Sequence, residues 1–393
     1  MYQIRTYNAI AERGLNRLQP ADFQVGADVE RPQGIILRSH KLHNETVPDS
    51  VLAVARAGAG VNNIPVADYT RRGIVVFNTP GANANAVKEL VIAGLLLSSR
   101  GILQGRAYVE SLGHITDSAE MSALLEQQKK QFAGSEIAGK CLGVVGLGAI
   151  GSLIANAALD LGMDVVGYDP ALSVEAAWRL SSRVRRMESL SALLAEVDYL
   201  TLHVPAIDAT RGLINADTLK LMRPSAAIMN FARDAIVDTS AVLSALDNGR
   251  LRQYVCDFPE PLLIGHEKVL ALPHIGASTA EAEENCAVMA VDQLKDYLLN
   301  GNILNSVNFP TTSMPRTAGA CRITFTNDNV SGVLGQVLTL LAEKSVNVID
   351  MVNKSRNEVA YNILDLAVRP SDELISAICA VEHLMGLRVI CEE

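Results

Sequence analysis

The sequence has no clustered cysteines, no long hydrophobic run and no excess of positive charge. Its six cysteines stand singly without a CxxC pair, which argues against a metal site or a disulfide framework and favours buried, reduced thiols. The apolar stretches, such as that around residues 95–97, are far shorter than a membrane span, and no signal-like segment opens the chain. These absences predict a cytoplasmic protein.

The charge balance is acidic, with a formal net charge of -9 at pH 7. A field of this sign disfavours nonspecific binding to nucleic acid or to anionic membranes, so an anionic small molecule would need a local group of arginines. The 393 residues, 49% hydrophobic and 20% charged, are sufficient for two or three globular domains.

Residues 142–169 carry the clearest motif, LGVVGLGAIGSLIANAALDLGMDVVGYD, which predicts a strand, a helix and a second strand. In the GxGxxG turn, Gly146 permits a sharp bend, Gly148 lets the backbone approach a pyrophosphate, and Gly151 lets the helix pack closely on the sheet. The diphosphate would lie at the helix N-terminus. Asp169 would bind the ribose hydroxyls of NAD and repel the 2'-phosphate of NADP. The motif therefore predicts NAD as cofactor.

Strand and helix patterns alternate on both sides of this motif and predict a doubly wound α/β fold. About 140 residues precede the motif, so another domain comes first and contributes a small parallel sheet. Predicted strands of the two sheets are 34–37, 52–55, 74–77, 199–204, 226–230, 253–257 and 269–272.

The C-terminal region has a different pattern. Residues 308–318 contain two prolines and few large apolar side chains, and they predict a linker. The remainder predicts a βαββαβ unit with an antiparallel sheet. Its predicted strands are 321–326, 346–351, 359–368 and 387–391, and its predicted helices are 332–343 and 371–385.

Three polar side chains follow predicted strands, where parallel sheets bind ligands. They are Arg233 in NFARDAIVD, Glu260 in DFPEP and His274 in LPHIGAST. His274 suits acid/base chemistry near neutral pH, a nearby Glu260 would raise its pKa, and Arg233 would bind an α-keto acid. Taken singly, each has an alternative: a loop histidine, a solvated acid and a surface ion-pair partner.

Together, GLGAIG, NFARDAIVD, DFPEP and LPHIGAST resemble the D-2-hydroxyacid dehydrogenase family over nearly the whole chain. The resemblance implies a Rossmann-type NAD-binding domain inserted in a flavodoxin-like substrate-binding domain, followed by an ACT (ferredoxin-like) regulatory domain. The implied boundaries are 1–87 with 280–310 for substrate binding, 88–279 for NAD, 311–319 for the linker and 320–393 for the ACT domain.

The resemblance also implies site residues. Arg233, Glu260 and His274 would form the catalytic triad. The implied cofactor-binding residues are Gly146, Gly148, Ala149, Ile150, Gly151, Asp169, His203, Val204, Pro205, Phe231, Ala232, Asp257 and Gly276. The implied substrate-binding residues are Arg38, Ser39, Arg56, Gly58, Ala59, Gly60, Asn83 and, across a dimer interface, Lys130, for which a solvated helix charge is the alternative.

Arg38 and Arg56 would form a cationic pocket for a phosphate, which favours the branch of the family that oxidises 3-phosphoglycerate in serine biosynthesis. The alternatives are another 2-hydroxyacid dehydrogenase, such as a glyoxylate or hydroxypyruvate reductase, and a non-enzymatic NADH-sensing scaffold. A homodimer or homotetramer is expected. Asn327, Asn329 and Asn347 match a serine effector site, although asparagines in turns also satisfy local backbone groups.

The chain departs from the family pattern at several positions. Ala149 stands where an arginine or similar residue is usual, and Asp234 follows the catalytic arginine in place of glycine. The segment between Asp257 and Glu260 is shorter than in many relatives. Ser331 replaces a proline of the ACT motif. The short segment between Asp257 and Glu260 affects the predicted position of Glu260.

Overall fold

The computed structural model describes residues 1–391, which divide into two units. One unit combines Met1–Asn83 with Ala280–Glu393, and the other is Ala84–Thr279. The division falls four residues before the position expected from the sequence, because the helix Ala84–Ser99 is continuous across residue 88. Val87, Val91 and Leu95 are buried along one face of that helix.

The first unit begins with a five-stranded parallel sheet of order β2-β1-β3-β4-β5, the flavodoxin-like order. The first two strands were not predicted, because in each of them only one residue is buried and the hydrophobic signal is weak. Its elements are β1 Tyr2–Thr6, α1 Glu12–Leu15, β2 Phe23–Gly26, β3 Gly34–Leu37, β4 Ala53–Arg56, α2 Val66–Arg71 and β5 Val75–Phe77.

The second unit contains a seven-stranded sheet of order β12-β11-β10-β9-β6-β7-β8, with every pair parallel. The chain winds outward from β6 in both directions, which confirms the doubly wound fold. Its strands are β6 Cys141–Val145, β7 Asp164–Tyr168, β8 Arg185–Arg186, β9 Tyr199–Leu202, β10 Ala227–Asn230, β11 Gln253–Cys256 and β12 Val269–Ala271.

Helices cover both faces of this sheet, as buried parallel strands require: α3 and α6 pack on one face, and α8, α9 and α10 pack on the other. The helices of this unit are α3 Ala84–Ser99, α4 Ile102–Ser111, α5 Ser118–Gln128, α6 Ala149–Asp160, α7 Val174–Ala177, α8 Leu190–Glu196, α9 Ala216–Leu219 and α10 Thr239–Asp247. Three short 3-10 helices are Lys129–Phe132, Asp234–Ile236 and Pro261–Leu263.

Helix α11, Ala280–Asn300, returns to the first unit and packs on its parallel sheet. Ala287, Ala290, Val291 and Leu294 form the buried face of α11. Within residues 1–391, neither this helix nor any other has the length and apolar character needed to cross a lipid bilayer.

The tail of the first unit has the predicted βαββαβ pattern, with an antiparallel sheet of order β14-β15-β13-β16. The second helix ends at Cys379, six residues before the predicted end, because the last strand already begins at Leu384. The elements are β13 Cys321–Asp328, α12 Val333–Glu343, β14 Val348–Arg356, β15 Val359–Leu366, α13 Asp372–Cys379 and β16 Leu384–Ile390.

The segment expected to be a linker is packed against the tail through Arg322, which is fully buried. Its guanidinium donates to both carboxylate oxygens of Asp365, at 2.6 and 2.9 Å, and to the carbonyl oxygens of Asn300, Met314 and Pro315. Burial alone would raise the pKa of Asp365, but the hydrogen bonds from Arg322 and Thr317 outweigh it and lower that pKa. All five guanidinium N–H groups are therefore satisfied.

The expectation of six reduced thiols is wrong for one pair, because Cys321 and Cys391 form a disulfide with their Cα atoms 4.4 Å apart. Antiparallel pairing explains this proximity, since the register joins Arg322 to Ile390 and so brings the neighbouring positions together. The expectation of burial also fails for Cys379, which is exposed. The other free cysteines are Cys141, Cys256 and Cys286.

Candidate active site

The glycine turn of the second unit, residues 146–151, is shaped by close backbone contacts. Gly146 has φ +87°, and a Cβ there would lie 2.5 Å from the carbonyl oxygen of His203. A Cβ on Gly151 would lie 1.9 Å from the carbonyl oxygen of Gly146, whereas a Cβ on Gly148 would meet nothing within 4 Å. The open space at Gly148, next to the start of α6, fits the pyrophosphate of a dinucleotide.

Asp169 follows β7 and is bonded to the same turn. Its Oδ2 accepts a hydrogen bond from the Leu147 amide at 2.8 Å, and its Oδ1 accepts one from the Ala171 amide at 2.9 Å. These two bonds orient the carboxylate at the end of the strand. Asp169, which is expected to bind the ribose, is thus hydrogen-bonded to the glycine turn that would bind the diphosphate.

His203 follows β9, and its Nε2 lies 2.7 Å from Thr201 Oγ1. Burial lowers the pKa of His203 to about 3, so its ring is neutral at physiological pH. Its Nδ1 is buried and has no hydrogen-bond partner within residues 1–391. The remaining predicted cofactor residues lie at the start of α6 or after β9 and β10: Ala149, Ile150, Val204, Pro205, Phe231 and Ala232.

Arg233 lies in the loop after β10, and buried Asn230 fixes that loop. The Asn230 side chain donates to the Arg233 carbonyl oxygen at 2.8 Å and accepts from the Ala232 amide at 3.1 Å. The Arg233 side chain is exposed, and its guanidinium carbon lies 5.5 Å from the centre of the Phe258 ring. Asn230 was not among the residues predicted from the sequence, because nothing marks a buried asparagine at a strand end as a loop anchor.

His274 also lies next to Phe258, with its ring centre 4.5 Å from that of Phe258. Its φ of +58° is uncommon for a residue other than glycine. Asp257 holds the loop in place, since its buried carboxylate accepts from the Ile275 and Gly276 amides at 2.8 and 2.7 Å. Phe258, which the sequence analysis missed, therefore contacts both Arg233 and His274.

The expected pairing of Glu260 with His274 is not formed. Glu260 instead accepts a hydrogen bond from Thr239 Oγ1 at 2.5 Å, and it has no hydrogen bond or ion pair with His274 within the described residues. The short segment explains the difference, because Glu260 comes only three residues after Asp257 and directly precedes the turn Pro261–Leu263.

In the first unit, Arg38 and Arg56 lie together at the carboxyl ends of β3 and β4. Arg56 Nε donates to the Arg38 carbonyl oxygen at 3.1 Å. Gly58 leaves room for this arrangement, since a Cβ there would lie 2.1 Å from Arg56 Nη1. Arg38 Nη1 lies 2.7 Å from the carboxylate of Glu283 at the start of α11, so one of the two cations already holds an anion. Glu283 was not among the residues predicted from the sequence.

The other predicted substrate residues lie in loops or at the surface. The Ser39 amide donates to Asn8 Oδ1 at 3.1 Å, and the Ala59 carbonyl oxygen accepts from Asn78 at 2.6 Å. Gly60 and Asn83 are partly exposed. Lys130 is exposed in the 3-10 helix Lys129–Phe132 of the second unit.

The three asparagines proposed for an effector are not brought together in one copy of the tail. Asn327 is buried and accepts a hydrogen bond from Asn362 at 2.8 Å, and Asn329 donates to the Asn357 carbonyl oxygen. Asn327 pairs with residue 360 of the neighbouring strand, whereas the Asn347 carbonyl oxygen accepts a hydrogen bond from residue 367. Residues 360 and 367 are seven positions apart in extended chain, so Asn327 and Asn347 are separated by about 23 Å along the strand direction.

Comparison with known proteins defines the class. Residues 94–276 match the family model described as D-isomer specific 2-hydroxyacid dehydrogenase, NAD binding domain. This chain belongs to that dehydrogenase family. Among solved structures, a glyoxylate/hydroxypyruvate reductase of Sinorhizobium meliloti matches with a TM-score of 0.63 at 25% identity, covering 78% of this chain and 98% of that one.

Within the family, D-3-phosphoglycerate dehydrogenases are among the curated relatives that this chain resembles. The Haemophilus influenzae protein is 32% identical over 352 residues, which cover 86% of this chain and 81% of the relative. The Synechocystis protein is 38% identical over 263 residues, which cover 65% of this chain and 45% of the relative. The chain thus spans most of one relative and less than half of the other.

Proposed function

We propose that this chain catalyses the NAD-dependent oxidation of 3-phosphoglycerate to 3-phosphohydroxypyruvate, the first step of serine biosynthesis. The observation that carries the proposal is the Arg233–Phe258–His274 cluster, which follows strands of the sheet that also carries the glycine turn and Asp169. The names of the curated relatives support the choice of substrate.

In this proposal His274 accepts the proton of the substrate 2-hydroxyl group, and Arg233 binds the carboxylate and the developing carbonyl oxygen. NAD, held by the glycine turn at residues 146–151 and by Asp169, would supply the acceptor for the hydride on the carbon that carries that hydroxyl group. Glu260, whose carboxylate is bonded to Thr239 and not to His274, would have to turn towards that ring to stabilise the imidazolium formed there. In the reverse reaction, the imidazolium returns the proton to the carbonyl oxygen.

The phosphate is assigned to Arg38 and Arg56. Replacing either by alanine is expected to raise the KM for 3-phosphoglycerate about 10- to 100-fold, since a hydrogen bond to a charged group contributes about 1.5–3 kcal/mol. The KM for glyoxylate, which has no phosphate, should change little. Arg71→Ala, which removes an exposed ion pair with Asp68, is the control. Equal effects on both substrates would contradict the assignment.

A reductase of glyoxylate or hydroxypyruvate is the second candidate. The contact between Glu283 and Arg38 favours it, because a carboxylate on this arginine opposes binding of a phosphate. Steady-state kcat/KM for 3-phosphohydroxypyruvate, hydroxypyruvate and glyoxylate, measured with NADH, distinguishes the two. A third alternative is an NADH-sensing scaffold, which would retain its biological role in the His274→Ala variant.

We further propose that the protein is a cytoplasmic homodimer or homotetramer. Helices α4 and α5 contain no buried residue, and Ile102, Leu103 and Val109 are exposed on α4. A second copy would cover these side chains and would bring Lys130 to the neighbouring subunit. A monomer in light scattering would contradict this proposal.

Serine binding to the tail, interpreted as an ACT domain, also requires a second copy. Asn347 lies at the opposite end of the strand pairs from Asn327 and Asn329, so all three can reach one ligand only across an interface. Inhibition by serine that disappears in the Asn347→Ala variant would support the proposal. An unchanged rate at saturating serine would contradict it.

A further inference from the structure

Helix α11 begins beside one of the arginines assigned to the substrate phosphate. Glu283 lies in the first turn of this helix, and its Oε1 is 2.7 Å from Arg38 Nη1. The side chain of Arg38 is 41% exposed and that of Glu283 is 45% exposed. An anion in solution can therefore reach this ion pair and compete with the carboxylate for the arginine.

Arg56 belongs to the same group of charges. Its Nε donates to the Arg38 carbonyl oxygen at 3.1 Å, which joins the ends of β3 and β4. The buried thiol of Cys286 lies one turn beyond Glu283 on α11, and burial raises its pKa. The charges of Arg56 and Arg38 act on this thiol in the opposite direction, and that of Glu283 adds to the rise, so all three lie near one point of the helix. Two positive charges and one negative charge thus share this part of the first unit.

We propose that Glu283 is a specificity-determining residue whose carboxylate occupies Arg38 in the free protein and must be displaced by the phosphate of a substrate. This inference rests on the proposed function for the assignment of the phosphate to Arg38 and Arg56. Binding of a phosphate dianion breaks the ion pair and places like charges next to each other. The hydroxyl group of an unphosphorylated substrate carries no charge, so Glu283 lowers the preference for phosphorylated substrates.

A glutamate in the first turn also stabilises a helix through the helix dipole, which is the alternative role of Glu283. The next residue, Glu284, provides a matched comparison. Its Oε2 lies 2.9 Å from Nη1 of Arg13, an arginine of α1, and its side chain is 40% exposed. Substitution by glutamine removes the same charge from neighbouring positions of one helix, but only Glu283 is paired with a predicted substrate residue.

The test compares Glu283→Gln with the control Glu284→Gln in the full chain. Isothermal titration calorimetry with inorganic phosphate measures anion binding without catalysis. The Kd for phosphate should fall about 3- to 10-fold in Glu283→Gln, because an exposed ion pair no longer competes and a nearby like charge is removed. It should keep the wild-type value in Glu284→Gln. The ratio of kcat/KM for 3-phosphohydroxypyruvate to that for hydroxypyruvate should rise by the same factor, since the two substrates differ only in the phosphate.

The gain should depend on Arg38, so in the Arg38→Ala background Glu283→Gln should change the Kd by about 2-fold at most. An equal gain in both backgrounds would overturn the proposal. An unchanged Kd in folded Glu283→Gln protein would overturn it too, as would the absence of phosphate binding to both the wild type and this variant. If the wild type does not act on 3-phosphohydroxypyruvate but Glu283→Gln binds phosphate more tightly, the proposed function fails and the role of Glu283 stands.

Discussion

Asp257 offers the sharpest test of how the His274 loop is held. The loop carries a histidine at φ +58°, a backbone conformation that costs about 1–3 kcal/mol and persists only when other contacts enforce it. Asp257 supplies those contacts through two hydrogen bonds of 2.7 and 2.8 Å, and it is only 2% exposed.

In Asp257→Asn, one side-chain oxygen still accepts a hydrogen bond, but the NH2 group faces the second backbone amide. Losing one hydrogen bond to a buried carboxylate costs about 2–3 kcal/mol. If the loop carries that loss, the equilibrium constant for holding His274 in place falls about 30- to 160-fold, and kcat/KM falls by up to the same factor.

The assay is steady-state NADH formation from 3-phosphoglycerate, together with thermal unfolding to show that the variant is folded. Asp28→Asn, an exposed carboxylate of the other unit, is the matched control. Wild-type kcat/KM in a folded Asp257→Asn protein would refute the reasoning. A loss of activity that only parallels a loss of folded protein would refute it equally.

Three further predictions concern the cofactor, pH and the disulfide. Asp169→Asn should reduce the preference for NAD over NADP in kcat/KM, and an unchanged ratio would contradict the assigned role. The pKa of His203 is lowered in the folded state, so below about pH 6.5 the unfolded chain binds a proton that the folded chain does not. The free energy of unfolding should therefore fall by up to about 1.4 kcal/mol per pH unit between about pH 6.5 and 3. Urea unfolding at pH 7 and pH 5 should show a smaller loss of this free energy in His203→Asn than in the wild type. The Cys321–Cys391 disulfide joins residues 70 positions apart, so its reduction should destabilise the tail by up to about 4 kcal/mol in the chain-entropy model. Hydrogen-exchange rates of the tail amides that do not change on reduction would contradict this.

Most of the fold could be predicted because the buried strands carry continuous apolar runs. Strands such as Gly34–Leu37 and Ala227–Asn230 are fully buried and were predicted within one residue. Tyr2–Thr6 and Phe23–Gly26 lie towards one edge of their sheet, and each has a single buried residue, so the hydrophobic pattern of these strands is weak. The end of the last helix was misplaced because the apolar residues Val381, Leu384 and Met385 fit the spacing of a helix, although Leu384 and Met385 belong to the last strand.

The candidate site was predicted less completely. The residue types at strand ends identified Arg233, Glu260 and His274, since parallel strands deliver their carboxyl ends to one edge. The side chains that hold those loops act through backbone groups: Asn230 bonds a nearby carbonyl oxygen that no motif marks, and Asp257 bonds an amide that is remote in sequence. Thr239 lies 21 residues before Glu260, and only folding brings the two together.

The sequence by itself determined the dinucleotide motif, the order of strands and helices, and the reactive residue types, because these depend on local periodicity and on glycine stereochemistry. Only the tertiary structure decided which groups meet. It placed Phe258 against His274, Glu260 on Thr239, Glu283 on Arg38, and Cys321 beside Cys391. Each of these contacts depends on strand register, loop length or helix packing, which no short stretch of sequence specifies.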